Sequence, residues 1–369
     1  VFVVSTKPFS GFESMALHQT AKHLGRVYRF FPPNLYHIQN DHNKSFLKKV
    51  AWHLVDLFSG HTPQIIKKII EEEQPDVIIS HNLKGLGLNA SRAIQKKNIF
   101  HVHTLHDLQL TLPSGLMIWG KENSFLNRSL ARKMYEVAVK RAIRNPDIVL
   151  SPSQFLADAY EKRGFFKKSN VQVFPNPTPS GEFVKRSSRI PGPVRFVYAG
   201  QLETHKGIEL LLDAINDLDF QVELHIAGDG ALAEMVAQRA LKDKRVKYHG
   251  FAPFKHLVHI LELADAVIVP SKCYENSPTI IFESFKMGIP VIASNIGGIP
   301  ELIQDRQNGI LFEPDNKAEL VEAMKKVASE LATFWNKSEE IQEHAKQYRL
   351  EEYVDKLEKL IASNNKTRF

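Results

Sequence analysis

Short apolar runs alternate with longer amphipathic segments along almost the whole chain, and this alternation is the feature that most restricts its fold. The pattern is clearest at Val194–Ala199, Val222–Ala227 and Ala266–Val269, where each apolar run is followed by a segment with helical spacing of its apolar residues. Strands that alternate with helices form right-handed βαβ units, which place the strands in a parallel sheet. The sequence therefore predicts an α/β protein with doubly wound parallel sheets.

The alternation stops once, in a segment rich in proline. Residues 175–193 contain five of the 19 prolines of the chain, and proline is excluded from helix interiors and inner strands. A chain of 369 residues is also too long for one ordinary domain. We therefore expect a linker here, a first domain over residues 1–185, a second over 186–345, and a helix over 346–369 that packs back on the first domain.

The first half has its own series of predicted elements. Strands are expected at residues 1–4, 76–79, 99–103, 147–150 and 171–174, where short apolar runs occur. A helix is expected over roughly residues 12–24, and a long basic helix near residues 122–144.

Charge is distributed unevenly between the two halves. The chain has a formal net charge of +7, but residues 1–190 hold 27 Lys and Arg against 14 Asp and Glu, a net of +13, and the remainder carries a net of −6. This asymmetry suggests that the first half meets an anionic partner. Nucleic acid is not expected, since aromatic residues are not interleaved with the basic ones in the pattern of a binding module.

The basic helix near residues 122–144 has an apolar stripe of Leu126, Leu130, Met134 and Val137 at helical spacing. It follows an apolar loop at residues 115–120. Two interpretations stay open: the stripe packs in the core with a solvated basic face, or the helix docks on an anionic membrane. No apolar run is long enough to span a bilayer, and Cys273 is the only cysteine, which fits a reducing cytoplasm. The expected location is cytoplasmic, with peripheral contact at the inner face of the membrane.

Candidate site residues follow the strands of the second half, because ligands of open α/β sheets bind outside the carboxyl ends of strands. Lys206 precedes a helix whose N-terminus favours a phosphate. A dense polar segment follows the strand Ala266–Val269, with Glu275 and Glu283 separated by seven residues. Asn276, Ser277 and Pro278 are typical of a helix start that leaves backbone N–H groups pointing outward. Glu283 lies in an apolar run, so its carboxylate needs a partner.

The first half offers weaker candidates, and no metal site is expected. Gly11 precedes a predicted helix and permits close backbone approach to an anion, although a plain turn explains it equally well. His106 follows a strand end, where a histidine can bind a hydroxyl or move a proton. Asp217-Leu218-Asp219 has an acid-x-acid pattern but lies at the opposite end of its sheet, and His101, His103 and His106 lack further ligands.

The ordered set of motifs in the second half resembles retaining glycosyltransferases of family four, which have the GT-B fold. The motifs are Gly200-x5-Lys206-Gly207, Ala227-Gly228-Asp229-Gly230, Glu275-x7-Glu283, Gly288-Ile289-Pro290, Gly297-Gly298-Ile299-Pro300-Glu301 and Asn308-Gly309. The first half matches more loosely, for example at Gly11-Phe12-Glu13 and His106-Asp107-Leu108. The resemblance implies two Rossmann-like domains facing across a cleft, with the acceptor on the side of the first.

The same resemblance implies roles for the candidates in binding a nucleotide-diphosphate sugar. Glu283 would hold the ribose hydroxyls and Glu275 the donor sugar, while Lys206 would neutralise the diphosphate leaving group. Amides around Asn276, Ser277, Pro278 and Thr279 would hold diphosphate or sugar. His106 would touch the donor sugar, Gly11 would approach the phosphates, and Gly250 and Phe251 would meet the base. The implied activity needs no metal and no cofactor besides its donor substrate.

One position departs from the family pattern. Gln201 stands where the family usually has arginine, and an amide brings no charge to a diphosphate. The expected activity is transfer of a sugar, with retention of configuration, to a glycan or lipid-linked acceptor, in polysaccharide biosynthesis. Gln201 keeps open a non-catalytic nucleotide-sugar-binding subunit. A nucleotide-sugar epimerase of the same fold is a further alternative, which the spacing of Glu275 and Glu283 disfavours. No G-x-G-x-x-G follows a strand, which disfavours a dehydrogenase.

Overall fold

The computed structural model describes residues 1–22, 25–178 and 189–365, so the predicted linker lies partly outside the described residues. The chain divides into two compact units. The first comprises residues 1–116, 123–151 and 156–173, and the second comprises residues 117–122, 152–155 and 174–369. The exact domain boundaries proposed above stay predictions. Among the described residues, no helix is long and apolar enough to cross a membrane.

The first unit contains a small sheet at its start. Strands β1 (Phe2–Thr6), β2 (His18–Lys22) and β3 (Gly25–Phe30) are arranged in the order β1-β3-β2. β1 runs parallel to β3, whereas β2 is antiparallel to it. The helix expected over residues 12–24 is therefore wrong. A short 3-10 turn, Phe12–Met15, occupies its beginning, and β2 forms an edge strand whose inner side pairs with β3.

A four-stranded parallel sheet follows, in the order β4 (Val77–His81), β5 (Phe100–Thr104), β6 (Ile148–Ser151) and β7 (Asn170–Val173). These four strands agree with the predicted ones to within two residues. The helices in this part of the chain are α1 (Phe46–Phe58), α2 (His61–Glu73), α3 (Asn89–Lys96), α4 (Phe125–Arg128), α5 (Leu130–Ile143) and α6 (Gln154–Glu161).

The long basic helix expected near residues 122–144 is two helices, α4 and α5. The break falls at Ser129, whose backbone is extended and whose side chain accepts a hydrogen bond from the Arg132 N–H at 3.2 Å. A serine that caps a new helix in this way ends the preceding one.

The second unit is built on one six-stranded parallel sheet. Its strands are β8 (Val194–Ala199), β9 (Val222–Ala227), β10 (Val246–Tyr248), β11 (Ala266–Val269), β12 (Val291–Ser294) and β13 (Gly309–Phe312). The helices are α7 (Ile208–Ala214), α8 (Ala233–Lys242), α9 (Phe254–Glu262), α10 (Thr279–Lys286), α11 (Lys317–Ser329), α12 (Leu331–Asn336), α13 (Ser338–Ala345) and α14 (Leu350–Asn365).

The strand order of this sheet is β10-β9-β8-β11-β12-β13. The chain therefore moves outward from β8 in one direction and returns to move outward from β11 in the other. Loops that leave adjacent strands in opposite directions open a crevice at the strand ends, the topological switch point of such sheets. The fold class, α/β with parallel sheets in two domains, is confirmed.

Both faces of the six-stranded sheet are covered by apolar side chains. Phe196 and Ile268 pack on one face with residues of α7 and α11, and Val197 and Val267 pack on the other with residues of α10. Alternate residues of a strand point to opposite faces. Strands buried on both faces appear as largely apolar runs, which is why β8, β9 and β11 were predictable from sequence.

Asp265 joins the beginning of this unit to its C-terminal helices. Its carboxylate is 1% exposed and accepts hydrogen bonds from the Arg189 guanidinium at 2.9 and 3.0 Å, the Arg195 N–H at 2.9 Å and the Trp335 indole N–H at 2.7 Å. Removal of the carboxylate would leave a partly buried cation and two further donors without this acceptor.

We therefore expect Asp265→Ala to lower the free energy of unfolding by about 3 kcal/mol, measured by urea denaturation followed by circular dichroism. Asp305→Ala is the control, because Asp305 is largely exposed and such substitutions stay within about 0.5 kcal/mol. Equal destabilisation by the two variants would show that the Asp265 network does not anchor the unit.

Candidate active site in the second unit

Two adjoining cavities lie where β8, β9 and β11 end. The first, here called the Glu275 cavity, has a volume of about 280 Å³ and is lined by residues that include Lys206, Ser271 and Glu275. The second, the Glu283 cavity, has a volume of about 340 Å³ and is lined by residues that include Asp229, Phe251 and Glu283. Both cavities share a wall made by Ala199, Gly200, Gln201, Thr279 and Ile280. The position matches the crevice expected at the switch point.

The Glu275 cavity contains an ion pair between the loops that follow β8 and β11. The ammonium group of Lys206 donates to Glu275 Oε1. Burial by itself would lower the pKa of Lys206, but the attraction of Glu275 outweighs it and the pKa is raised, so the side chain stays a cation. The cavity therefore holds a positive charge that is already balanced by a carboxylate.

Glu275 is held by two further donors from its own loop. The hydroxyl of Ser271 donates to Oε1 at 3.0 Å, and the thiol of Cys273 lies 3.6 Å from the same oxygen. Burial and the nearby carboxylate raise the pKa of Cys273 to about 12, so the thiol keeps its proton. Gly297 lies behind the glutamate, where an added Cβ would come within 2.1 Å of the Glu275 carbonyl oxygen. The carboxylate is thus fixed in position.

Glu283 has a different environment. It lies on α10, half-buried, and faces the Glu283 cavity. Among the described residues no donor makes a hydrogen bond or ion pair with its carboxylate. Burial raises the pKa of Glu283, and the nearby Lys286 only partly opposes this. A desolvated carboxylate without a partner is costly to the folded state, and donors from a ligand would relieve the cost.

The N-terminus of α10 borders both cavities. Pro278 precedes the helix, and no side chain caps its first turn. Pro278 and Thr279 line the Glu275 cavity, and Thr279 also lines the Glu283 cavity. Asn276 and Ser277 lie directly before them, and the Ser277 hydroxyl is a buried oxygen without a hydrogen-bond partner. Backbone N–H groups at such a terminus attract anions.

Gln201 and the loop after β10 complete the shared region. Gln201 is exposed and lines both cavities. Phe251 contributes an aromatic side chain to the lining of the Glu283 cavity. Gly250 stands next to it with a φ of 66°, and its carbonyl accepts a hydrogen bond from the Gly228 N–H at 2.8 Å. The structure thus gathers the predicted residues of the second half around two adjoining spaces, while their individual roles stay predictions.

Gly11 and His106 belong to the first unit. Gly11 begins the 3-10 turn at Phe12–Met15 with a φ of 107°. His106 lies after β5, where its Nε2 is 3.2 Å from Nδ1 of His81. Burial lowers the pKa of both histidines, and their proximity adds to this for His81. A neutral histidine can both donate and accept a hydrogen bond, so the predicted contact of His106 with a sugar is chemically reasonable.

Three lining residues were not predicted from sequence. The hydroxyl of Tyr198 donates to the Gln201 carbonyl at 2.6 Å and fixes that turn. Ser271 orients Glu275. Asp229 accepts the Leu202 N–H through its carbonyl at 2.9 Å, which joins the loops after β8 and β9. Asp229 and Ser271 could have been predicted as lining residues, because each lies two positions after the end of a strand.

The unpartnered carboxylate of Glu283 gives a prediction about stability. A carboxyl group with a raised pKa in the folded state penalises folding when it is ionised, and the penalty disappears below the pKa of about 4.3 in the unfolded chain. We expect Glu283→Gln to raise the melting temperature at pH 7.5, with a gain that shrinks as the pH falls to 4. Glu340→Gln, at an exposed position, should leave the melting temperature unchanged both at pH 7.5 and at pH 4. A stabilisation by Glu283→Gln that is independent of pH would contradict this account.

Comparisons with known proteins agree with this architecture. The family model described as Glycosyltransferase Family 4 matches residues 20–182, and the model described as Glycosyl transferases group 1 matches residues 193–330. An uncharacterized glycosyltransferase of Methanocaldococcus jannaschii is 26% identical over 286 residues, which are 76% of this chain and 72% of that protein.

Solved structures show the same fold at low sequence identity. Sucrose-phosphate synthase of Thermosynechococcus elongatus has a TM-score of 0.72 at 19% identity, covering 98% of this chain and 88% of that one. HepE of Anabaena, in complex with UDP, has a TM-score of 0.66 at 19% identity, covering 84% of each chain. These neighbours have the GT-B fold. Because matches to glycosyltransferase models extend over both halves of the chain, we assign this protein to the glycosyltransferases.

Proposed function

We propose that this protein transfers a sugar from a nucleotide-diphosphate sugar to a glycan or lipid-linked acceptor, with retention of anomeric configuration. The observation that supports this most strongly is that two carboxylates with different environments lie in adjoining cavities at the switch point. Among the described residues Glu283 has no partner, whereas Glu275 is paired with Lys206, the only described lysine that lines either cavity. One cavity can therefore supply an acceptor for hydroxyl groups and the other a cation for phosphates.

The Glu283 cavity suits a nucleoside. Its carboxylate would accept hydrogen bonds from the two ribose hydroxyls, and those donors would offset the desolvation that raises the pKa of Glu283. Phe251 and Leu257 add apolar surface on which a base can pack. HepE, which shares the fold, is known in complex with UDP, which supports a nucleotide donor for this chain.

The Glu275 cavity suits the diphosphate and the donor sugar. Lys206 would turn toward the diphosphate, whose negative charge competes with Glu275 for the ammonium group. Backbone N–H groups at the start of α10 would add donors. Stabilisation of the charge that develops on a leaving group is usually the largest electrostatic contribution to such a reaction. In this proposal Lys206 and these amides supply the positive charge.

Retention is proposed to follow from attack on the same face as the departing diphosphate. A double displacement would require a carboxylate nucleophile below the anomeric carbon. Glu275, the carboxylate that lines the Glu275 cavity, is engaged by Lys206 and Ser271. The bond from the anomeric carbon to the diphosphate oxygen breaks, the bond to the acceptor oxygen forms, and the acceptor proton passes to the leaving diphosphate.

A panel of UDP-, GDP- and ADP-sugars tests the proposal. We expect release of nucleotide diphosphate from one donor, a loss of about 10²-fold or more in kcat with Lys206→Ala, and nucleotide binding about tenfold weaker or more with Glu283→Ala. Exposed positions serve as controls, with Lys242→Ala and Glu340→Ala expected to behave as the wild type.

The outcomes separate the alternatives. Binding of a donor without release, even with glycan acceptors present, would favour a nucleotide-sugar-binding subunit. Recovery of an epimerised donor would favour the epimerase. Failure of every donor to bind would contradict the roles of Lys206 and Glu283.

Gln201 offers a gain-of-function test. An arginine at this position would bring a guanidinium to the wall shared by the two cavities and could bind the diphosphate through two hydrogen bonds. We expect Gln201→Arg to tighten nucleotide-diphosphate binding by about tenfold, measured by calorimetry, and Gln201→Glu to weaken it. Equal affinities of the two variants would show that residue 201 does not face the phosphates.

A further inference from the structure

Helix α1 of the first unit turns an apolar face to solvent. Leu47, Val50, Leu54 and Phe58 follow the spacing i, i+3, i+7 and i+11, which places them on one side of a helix. All four are exposed, with Leu47 at 77% and Phe58 at 69%. On the opposite side of the helix, Trp52 is buried and only 1% exposed. An amphipathic helix normally buries its apolar side, so this surface is unusual.

Helix α5 repeats the arrangement. Leu130, Met134 and Val137 are exposed, with Leu130 at 73% and Met134 at 65%, while Val139 and Ile143 are buried on the other side. The interpretation that this stripe packs in the core is therefore wrong for these three residues, while the side chain of Leu126 lies outside the described part of the structure. The core contacts of α5 are made by a different set of residues, which the sequence spacing alone did not single out.

The two helices are neighbours within the first unit. His53, Asp56 and Leu57 of α1 line one small internal cavity together with Tyr135 of α5. Their buried sides meet around this cavity, and their apolar stripes remain on the outside. Each stripe places several apolar side chains along one exposed helix side, unlike the singly scattered apolar residues of an ordinary protein surface.

Exposed charges on these helices have a single sign. Lys48, Lys133 and Arg141 are exposed. The acidic residues of the two helices are Asp56 and Glu136, and both are buried. The exposed surface of α1 and α5 therefore combines leucine, valine, methionine and phenylalanine with lysine and arginine, and it includes no carboxylate.

We propose that the exposed faces of α1 and α5 form a docking surface for an anionic lipid bilayer. The apolar side chains would enter the boundary between headgroups and acyl chains, and the basic side chains would contact lipid phosphates, as in helices that lie in the membrane interface. Contact between two copies of this face is disfavoured because a two-fold contact would bring basic residues against basic residues. The surface lies within the first unit, so this inference does not depend on the proposed donor chemistry.

Flotation of the full chain with lipid vesicles tests the proposal. We expect binding to vesicles of equal phosphatidylglycerol and phosphatidylcholine, weakened by salt, and little binding to phosphatidylcholine alone. Each of two double variants, Leu54→Ser with Phe58→Ser and Lys133→Glu with Arg141→Glu, should lower the bound fraction at least tenfold. Leu241→Ser and Lys242→Glu on α8 are matched controls, because Leu241 is 86% exposed in the second unit, and they should bind as the wild type.

Other outcomes would overturn the proposal. The proposal would be contradicted if the protein did not bind anionic vesicles at low salt. It would also be contradicted if the α1, α5 and α8 variants bound equally well. A wild-type dimer that Leu54→Ser with Phe58→Ser converts to a monomer would show that the face is an interface between copies. Circular dichroism and calorimetric nucleotide binding, both expected to be unchanged in the variants, separate loss of docking from loss of folding and from failure of the proposed donor site.

Discussion

The reversal of strand order between β8 and β11 is the constraint on which the site depends. These two strands are neighbours, and the helices that follow them pack on opposite faces of the sheet, which leaves a crevice at the strand ends. Lys206 comes from one of these loops and Glu275 from the other, and the ion pair between them crosses the crevice. The same divergence exposes the start of α10 to both cavities.

Close backbone contact keeps the two loops together. The Lys272 N–H donates to the His205 carbonyl at 2.9 Å. Gly207 has a φ of 76°, and a Cβ at this position would lie 1.8 Å from the Pro270 carbonyl oxygen. Only glycine fits such a contact and such a φ. The proximity of Lys206 to Glu275 thus rests on backbone contact between their two loops.

Sequence reasoning reached β8, β9 and β11 of the second unit because these strands are largely buried on both faces and appear as mostly apolar runs. It failed at residues 12–24, where pairing of β2 with β3 overrides a helical pattern. Periodicity located the stripe at Leu130 and Met134 but could not show that it faces solvent, since an apolar stripe has the same spacing in either case. The ion pair of Lys206 with Glu275 joins residues 69 positions apart, and only the fold brings them together.

The central claim is that the unpartnered carboxylate of Glu283 binds the ribose of a nucleotide. Calorimetry with the nucleoside diphosphate that binds and with its 2′-deoxy analogue, on the wild type and on Glu283→Ala, isolates this contact as a thermodynamic cycle. We expect loss of the 2′-hydroxyl to weaken binding about tenfold in the wild type and to have no effect in the variant. An equal loss of affinity in both proteins would contradict the assignment and place the ribose elsewhere.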